Sequence, residues 1–397
     1  MEIYQRQVES VYGCYEYYDS TENHGAVNDG GGFGRVFKGV FRKYSNTPIE
    51  IKMEDGNIVN RQFERNLVDG ETVAVKVIFG EHSDRENVLY RMREGVALQV
   101  DSKNVVKMYA FLHKKGTYHE IMEFIEGIDL SEIIGDAIER KKPLSFEFVY
   151  PIIHQVLSGL TAIHNRNAVH RDLDVTNIRI SLPLNDVGKV TQNQILPIDG
   201  NEVKIIDMGI AHRMDKRGIS IPGAKLGKLN YMCPEQIDGK TPEPNWDLYA
   251  LGMCIYEIFT ENLPFEKGNI EKTTQLIRTE KLPPHSNLPQ PLYELLKTAT
   301  AKNANERFGN VDEFCYEWEQ LPKRIKNPTA ITWYSQLTNL RSLYIIGGLI
   351  FGTFIYFIFF YHPKTETPKT ETPKTETPKT ETPKTVIPKT ETPKTET

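Results

Sequence analysis

His170-Arg171-Asp172-Leu173-Asp174-Val175-Thr176-Asn177 is the stretch that decides how this chain is read. It sets a carboxylate at Asp172 and a carboxamide at Asn177, and thirty residues past Asn177 lies Asp207, within Ile205-Ile206-Asp207-Met208-Gly209. Upstream stands Val73-Ala74-Val75-Lys76, a β-branched run that ends in a lysine. A positioned carboxylate can take the proton of an attacking hydroxyl. An asparagine and a second aspartate can hold Mg²⁺, and the lysine can hold phosphate oxygens. His-Arg-Asp alone arises by chance; the three segments in this order describe a phosphotransfer site.

These segments resemble the eukaryotic-type protein kinase family, and the likeness covers roughly residues 25 to 320. The resemblance implies an α+β, two-lobed protein-kinase-like fold, with a β-rich small lobe and a helical large lobe. ATP and Mg²⁺ are the implied cofactors, and proteins the implied substrates. Asp172 then becomes the base for the acceptor hydroxyl, and Asn177 and Asp207 the metal ligands. Lys76 holds the α and β phosphates, with Glu94 as its acidic partner on the small-lobe helix and Glu86 as the fallback.

The resemblance extends to the nucleotide contacts. Gly30-Gly31-Gly32-Phe33-Gly34-Arg35-Val36 is similar to the glycine-rich loop, with Asp29 in place of its first glycine. Glycine matters there because a side chain would keep backbone N–H groups from the phosphates. Val36 and Ala74 would line the nucleotide site. Ile121-Met122-Glu123-Phe124-Ile125-Glu126-Gly127 resembles the interlobe hinge, whose backbone at Glu123 and Ile125 would pair with adenine while Met122 closes the pocket. Asp129 is placed to reach the ribose. Tyr231-Met232-Cys233-Pro234-Glu235 resembles the end of the activation segment, with Arg307 as the partner of Glu235 and Asp247 as the brace of the catalytic loop.

Two departures from the family pattern stand together. Family members that act on serine and threonine usually carry lysine two residues after the catalytic aspartate, where this chain has Asp174, and threonine where it has Lys228. We expect Lys228 to reach Asp174 and restore a cation near the transferred phosphate; the bland alternative is two drifted positions in a slow enzyme. Between Asp207 and Glu235 the one hydroxyl-bearing serine or threonine is Ser220, among Arg213, Lys216, Arg217, Lys225 and Lys228. Phosphorylation of Ser220 would order that segment, or the cluster is a basic face that docks acidic substrates.

Composition bounds the rest. The chain has 397 residues and a formal net charge of -5, which gives no electrostatic case for nucleic acid. Cys14, Cys233, Cys254 and Cys315 share no metal-binding spacing, and the amino terminus lacks a secretory layout. Residues 1–24 are rich in tyrosine and read as an extension, either packed or loose. Residues 25–321 form the kinase-like domain, with an insertion or long hairpin within 42–70, a helix over 84–100 and a surface loop at 182–201. Residues 322–342 link to Leu343–Tyr361, nineteen residues without a charge. As a helix they span about 28 Å, enough for one transmembrane helix. Residues 362–397 hold seven five-residue Pro-Lys-Thr-Glu-Thr units, one altered, with almost nothing apolar to bury, and are expected to stay disordered.

Lysine and arginine are balanced on either side of the apolar segment, so charge does not orient it. A need for cytosolic ATP places the kinase-like part in the cytoplasm of a single-pass membrane protein. Gly348 and Gly352 form a GxxxG that can pair two such helices into a homodimer. The reading is a membrane-anchored protein kinase acting on serine and threonine. The competing reading is a membrane-tethered pseudokinase, a nucleotide-binding scaffold, favoured by Asp29, Asp174 and Lys228 and opposed by Lys76, Asp172, Asn177 and Asp207.

Overall fold

The structure is a computed structural model that describes residues 3–10, 12–20, 26–28, 35–44, 58–59, 61–64, 66–78, 96, 98–181, 202–207, 212–213, 226–265 and 268–326. Gly30, Gly31, Gly32, Phe33 and Gly34, the helix read over 84–100 for its greater part with Glu86 and Glu94, the loop 182–201, Ser220, the apolar segment 343–361 with Gly348 and Gly352, and the repeats lie outside the described residues.

The small lobe is one mixed-length antiparallel sheet. Strands β1 (Ile3–Glu9), β2 (Gly13–Ser20), β4 (Arg35–Lys43), β6 (Thr72–Ile78), β8 (Thr117–Glu123), β7 (Met108–Lys114) and β5 (Ile58–Val59) follow one another in that spatial order, with β3 (Ala26–Asn28) also on β4. Successive side chains of a strand face opposite ways, so β6 serves two interiors. Val73, Val75 and Val77 enter a closed core with Val8, Tyr15, Tyr17, Phe37, Phe41 and Ile121. Ala74 and Ile78 join the core shared with the large lobe. Lys114 Nζ on β7 donates to the Gln7 carbonyl of β1 at 3.0 Å, so the sheet curls until its far strands meet.

Residues 3–20 are therefore strands of this sheet, and the boundary expected at residue 25 runs through it. Of the stretch read as an insertion or long hairpin within 42–70, the described part pairs Ile58 with Phe111, and the short helix α1 (Arg61–Glu64) puts Phe63 and, just after it, Leu67 into the closed core. Just before β7 the chain bonds to the large lobe, Val106 N donating to Ile205 O and Ile205 N to Asn104 O, both at 2.9 Å.

Helices dominate after Gly127, preceded by β9 (Gly127–Asp129). Asp129 caps α2 (Leu130–Glu139), accepting from Glu132 N while Glu132 answers the Asp129 N–H. Ser145 caps α3 (Phe146–His164), whose Val149, Ile152, Ile153, Val156, Leu157, Leu160 and Ile163 are buried at the expected helical spacing. Gly159 lets α3 close on its neighbours, because a β-carbon there would meet Asn104 O at 2.7 Å and Ile205 Cδ1 at 2.9 Å. The helix α6 (Pro244–Thr260) is buried almost all round. It is preceded by α4 (Leu226–Leu229) and α5 (Pro234–Ile237) and followed by α7 (Ile270–Thr279), α8 (Gln290–Ala299) and α9 (Val311–Lys326). Among the described residues, Phe146–His164 alone is long and apolar enough to cross a membrane, and it is a core helix of the large lobe.

Candidate active site

The catalytic loop follows β10 (Ala168–Val169) and closes in a 3-10 turn at Val175–Asn177. Its anchor is Asp247, wholly buried on α6, whose carboxylate accepts from His170 N and Arg171 N at 2.8 Å each and lies 2.9 Å from His164 Nε2. Burial alone would raise this carboxyl's pKa; the His164 hydrogen bond and charge, with the loop amides, hold it below the ordinary value. Arg171 and Asp207 both take positive φ, 70° and 60°. Non-glycine residues reach that region only when their surroundings enforce it, and such strain gathers at functional sites.

Two short strands set the metal ligands. β11 (Ile178–Ser181) pairs with β12 (Val203–Ile205), and Ile206 N donates to Asn177 O at 2.9 Å, so Asn177 and Asp207 are held side by side at the strand ends. Asn177 Nδ2 donates to the Asp172 carbonyl at 2.7 Å, which leaves the amide oxygen for a cation. An amide oxygen beside carboxylate oxygens is a hard donor set, and it fits Mg²⁺.

Lys76 reaches across from the small lobe to Asp207 Oδ1 at 2.7 Å. Burial opposes its charge, yet Asp207 and Glu120 together hold its pKa above the ordinary lysine value; in return Lys76 keeps Asp207 low despite burial. Glu120 was not foreseen. It sits directly across β6–β8 from Lys76, fully buried, with its Oε2 at 3.8 Å from Nζ. No hydrogen bond among the described residues reaches either of its oxygens, and burial first of all pushes its pKa up to about 7. Glu94, the expected partner, lies outside the described residues.

On the same face, Val36 is level with Lys76 and Ala74 with Met122, and all three apolar side chains border the shared core. Glu123 N is taken by Lys107 O at 2.9 Å, so the adenine contact expected of this residue would fall to its carbonyl. Arg179 fixes the hinge by donating to Ile125 O at 2.9 Å and Gly127 O at 2.5 Å. Asp129 Oδ1 accepts from Glu132 N as the cap and from Ser131 Oγ at 2.5 Å, so the nucleoside role expected of this carboxylate falls to Oδ2. That capping box, Asp129-x-x-Glu132, was legible in the sequence.

Asp172, the expected base, meets Lys228. Nζ of Lys228 lies 2.7 Å from Asp172 Oδ2 and 3.0 Å from Asp174 Oδ2, so the lysine bridges both carboxylates. Further on, Glu235 pairs with Arg307 at 2.8 Å, Gln236 donates to Arg171 O at 2.7 Å, and Tyr231 donates to Glu257. These contacts lock the end of the segment onto the large lobe.

A family model described as the protein kinase domain matches residues 59–318. Among curated proteins, the chain is 25% identical over 287 residues to "Probable serine/threonine-protein kinase PknB" of Lactococcus lactis, covering 70% of this chain and 42% of that protein. It is 25% identical over 265 residues to "Serine/threonine-protein kinase PrkC" of Bacillus subtilis, covering 65% and 38%. It is 28% identical over 282 residues to "Serine/threonine-protein kinases PknA" of Corynebacterium glutamicum, covering 68% and 55%. The chain thus spans roughly two fifths to just over half of the length of these relatives.

Proposed function

Because this chain belongs to the protein kinase family, we propose that it transfers the γ-phosphoryl group of ATP to serine and threonine hydroxyls of proteins. One observation carries the reading: Asp172, Asn177, Asp207 and Lys76, distant in sequence, converge at one cleft, with Asn177 Nδ2 on the Asp172 carbonyl and Lys76 on Asp207. The names of the relatives support serine and threonine as acceptors.

Each residue has a derivable part. Asp172 accepts the proton of the acceptor hydroxyl as its oxygen bonds to phosphorus and the bond to the departing ADP oxygen breaks. Burial raises the pKa of Asp172, which suits a group that must take a proton near neutrality. Lys76 orients phosphate oxygens. Asn177 and Asp207 would hold Mg²⁺, which supplies charge neutralisation on the phosphates when bound. Glycines Gly30, Gly31, Gly32 and Gly34 with Phe33 would cover those phosphates, and Glu123, Ile125 and Asp129 would hold the nucleoside.

The proposal includes a membrane anchor at residues 343–361, resting on its uncharged length, with the catalytic part in the cytoplasm and pairing through Gly348 and Gly352. The test is Mg²⁺-dependent transfer of labelled phosphate from ATP by the full chain, beside Asp172→Ala. Expected is transfer lost by at least 100-fold in the variant, with label on phosphoserine and phosphothreonine. ATP binding without transfer would replace the enzyme by the scaffold reading. Release of the chain from membranes by alkaline carbonate would remove the anchor.

A further inference from the structure

We propose that Lys228 is the cation that faces the transferred phosphoryl group, and that Asp174 positions it there, so that this charge is delivered from the activation segment instead of from the catalytic loop. The inference rests on the kinase reading above. It starts from the fixity of Asp174, which is 3% exposed. Its Oδ1 accepts from Thr176 N at 2.7 Å, Thr176 Oγ1 at 2.5 Å and Asn177 N at 3.2 Å, while Oδ2 is left to face Lys228. One oxygen builds the turn that sets Asn177, and the other aims the lysine.

Lys228 comes from the opposite side, on α4, whose chain continues into the anchored Asn230, Tyr231 and Glu235. An ammonium has three N–H donors. Asp172 and Asp174 engage two of them, and the side chain, 37% exposed, is open enough to turn the third to a phosphoryl oxygen beside Asp172. Charge requires such a group. Asp172, Asp174 and Asp207 bring three carboxylates to the place where a polyanion must react, while Lys76 is already committed to Asp207 and Glu120. Without Lys228, Asp172 and Asp174 would repel the γ-phosphate.

During transfer the acceptor oxygen bonds to phosphorus, its proton passes to Asp172, and the phosphorus–oxygen bond to ADP breaks with its electron pair leaving on ADP. Lys228 neither gives nor takes a proton. It stays an ammonium because the two carboxylates outweigh the burial that would lower its pKa. A fixed charge at the reacting oxygens acts in the transition state, so its loss is read in kcat more than in KM. Delivery from α4 also makes the charge conditional on that segment being docked.

Because Asp174 Oδ1 also caps the turn, its charge is removed with Asp174→Asn, which keeps an oxygen acceptor there. The full chain is compared with Lys228→Met, Lys228→Arg and Asp174→Asn in kcat and in KM for ATP. Asp172 is faced by Lys228 from α4, Asp174 from its own loop and Asp207 after β12, with Lys76 and His170 beyond Asp207. Lys228 lowers and Asp174 raises the Asp172 pKa. Expected, therefore, is a fall in kcat of about 100-fold for Lys228→Met with KM for ATP within about threefold. Lys228→Arg, which keeps the charge, retains most of the parent's kcat, and Asp174→Asn, which loses the aim but keeps the cap, falls between the two. A clamp that only holds the segment in place would raise KM for ATP as much as it lowers kcat in Lys228→Met, and Lys228→Arg, which keeps the charge, would not restore kcat; either result overturns the proposal. So does Lys228→Met within twofold of the parent in kcat, with the kinase reading intact. A parent chain that transfers no phosphate overturns both. If Lys228→Met does not fold, Lys228→Arg and Asp174→Asn decide: kcat lost in the first, or within twofold of the parent in the second, ends the proposal.

Discussion

Lys76 and Glu120 show how one cross-strand pair can hide beneath a motif. Lysine in Val73-Ala74-Val75-Lys76 was legible because the sequence itself spells the strand and its end. Glu120 was not, since its place opposite Lys76 depends on the register of β6 with β8, which no local pattern states. The pair carries a prediction. Lys76→Met leaves Asp207 and the buried Glu120 without their cation, so the protein should lose about 3 kcal/mol at pH 8 and less at pH 6, where the Glu120 carboxyl takes up a proton. The double variant Lys76→Met/Glu120→Gln should recover most of that stability without recovering transfer. Urea unfolding at the two pH values checks it; equal losses in single and double variants would mean that Glu120 is not held by Lys76. The Asp174–Lys228 pair was legible for the opposite reason: both residues depart from a motif at matching places, and a departure can be seen without any register.

At the scale of elements, the sequence announced the helices of the large lobe better than the strands of the small one. α3 repeats its apolar residues over five turns, whereas β1 and β2 offer only short alternations such as Tyr15-Glu16-Tyr17, whose tyrosines are buried. What joins these strands to α1 is polar. Tyr15 donates to Glu64 Oε1 at 2.5 Å, and burial above all pushes the Glu64 carboxyl up to about 7, with its Ser10 and Tyr15 bonds pulling back. A carboxyl raised in the folded state contributes stability that is present below its unfolded value of 4.5 and lost as pH rises through about 7. About 3 kcal/mol should go in that window, and Glu64→Gln, which can still accept from Tyr15, should flatten the slope in melts taken from pH 4 to 8. His119 works the other way. Desolvation chiefly lowers its pKa to about 4, so its share of stability is present above 6.5 and lost as pH falls. Its variant His119→Gln should steepen nothing above pH 7 and soften the acid side alone.

For the whole molecule, the two lobes are joined where chemistry needs them: Lys76 reaches Asp207, Arg179 secures the hinge carbonyls, and Asn104 to Val106 bind β12 beneath the catalytic loop. The family motifs foretold this division because each motif belongs to one lobe and their order along the chain follows the order of the lobes. The place where the folded unit begins was not foretold, because tyrosine and glutamate in a short strand resemble a solvated tail as much as a sheet. A chain started at residue 25 should lack β1 and β2, expose Phe37 and Phe41, and melt at least 10 °C below a chain that keeps residues 1–24, by circular dichroism, a shift on the scale of a few kcal/mol for a domain of this size. The meeting of β1 with β7 has a consequence of another kind. A strand with a bare flank of N–H and C=O groups is a template on which a second molecule can build, and curling the sheet until Lys114 grips Gln7 shelters that flank. Residues of β1 thus help to shelter the sheet from strand-to-strand pairing with a second copy.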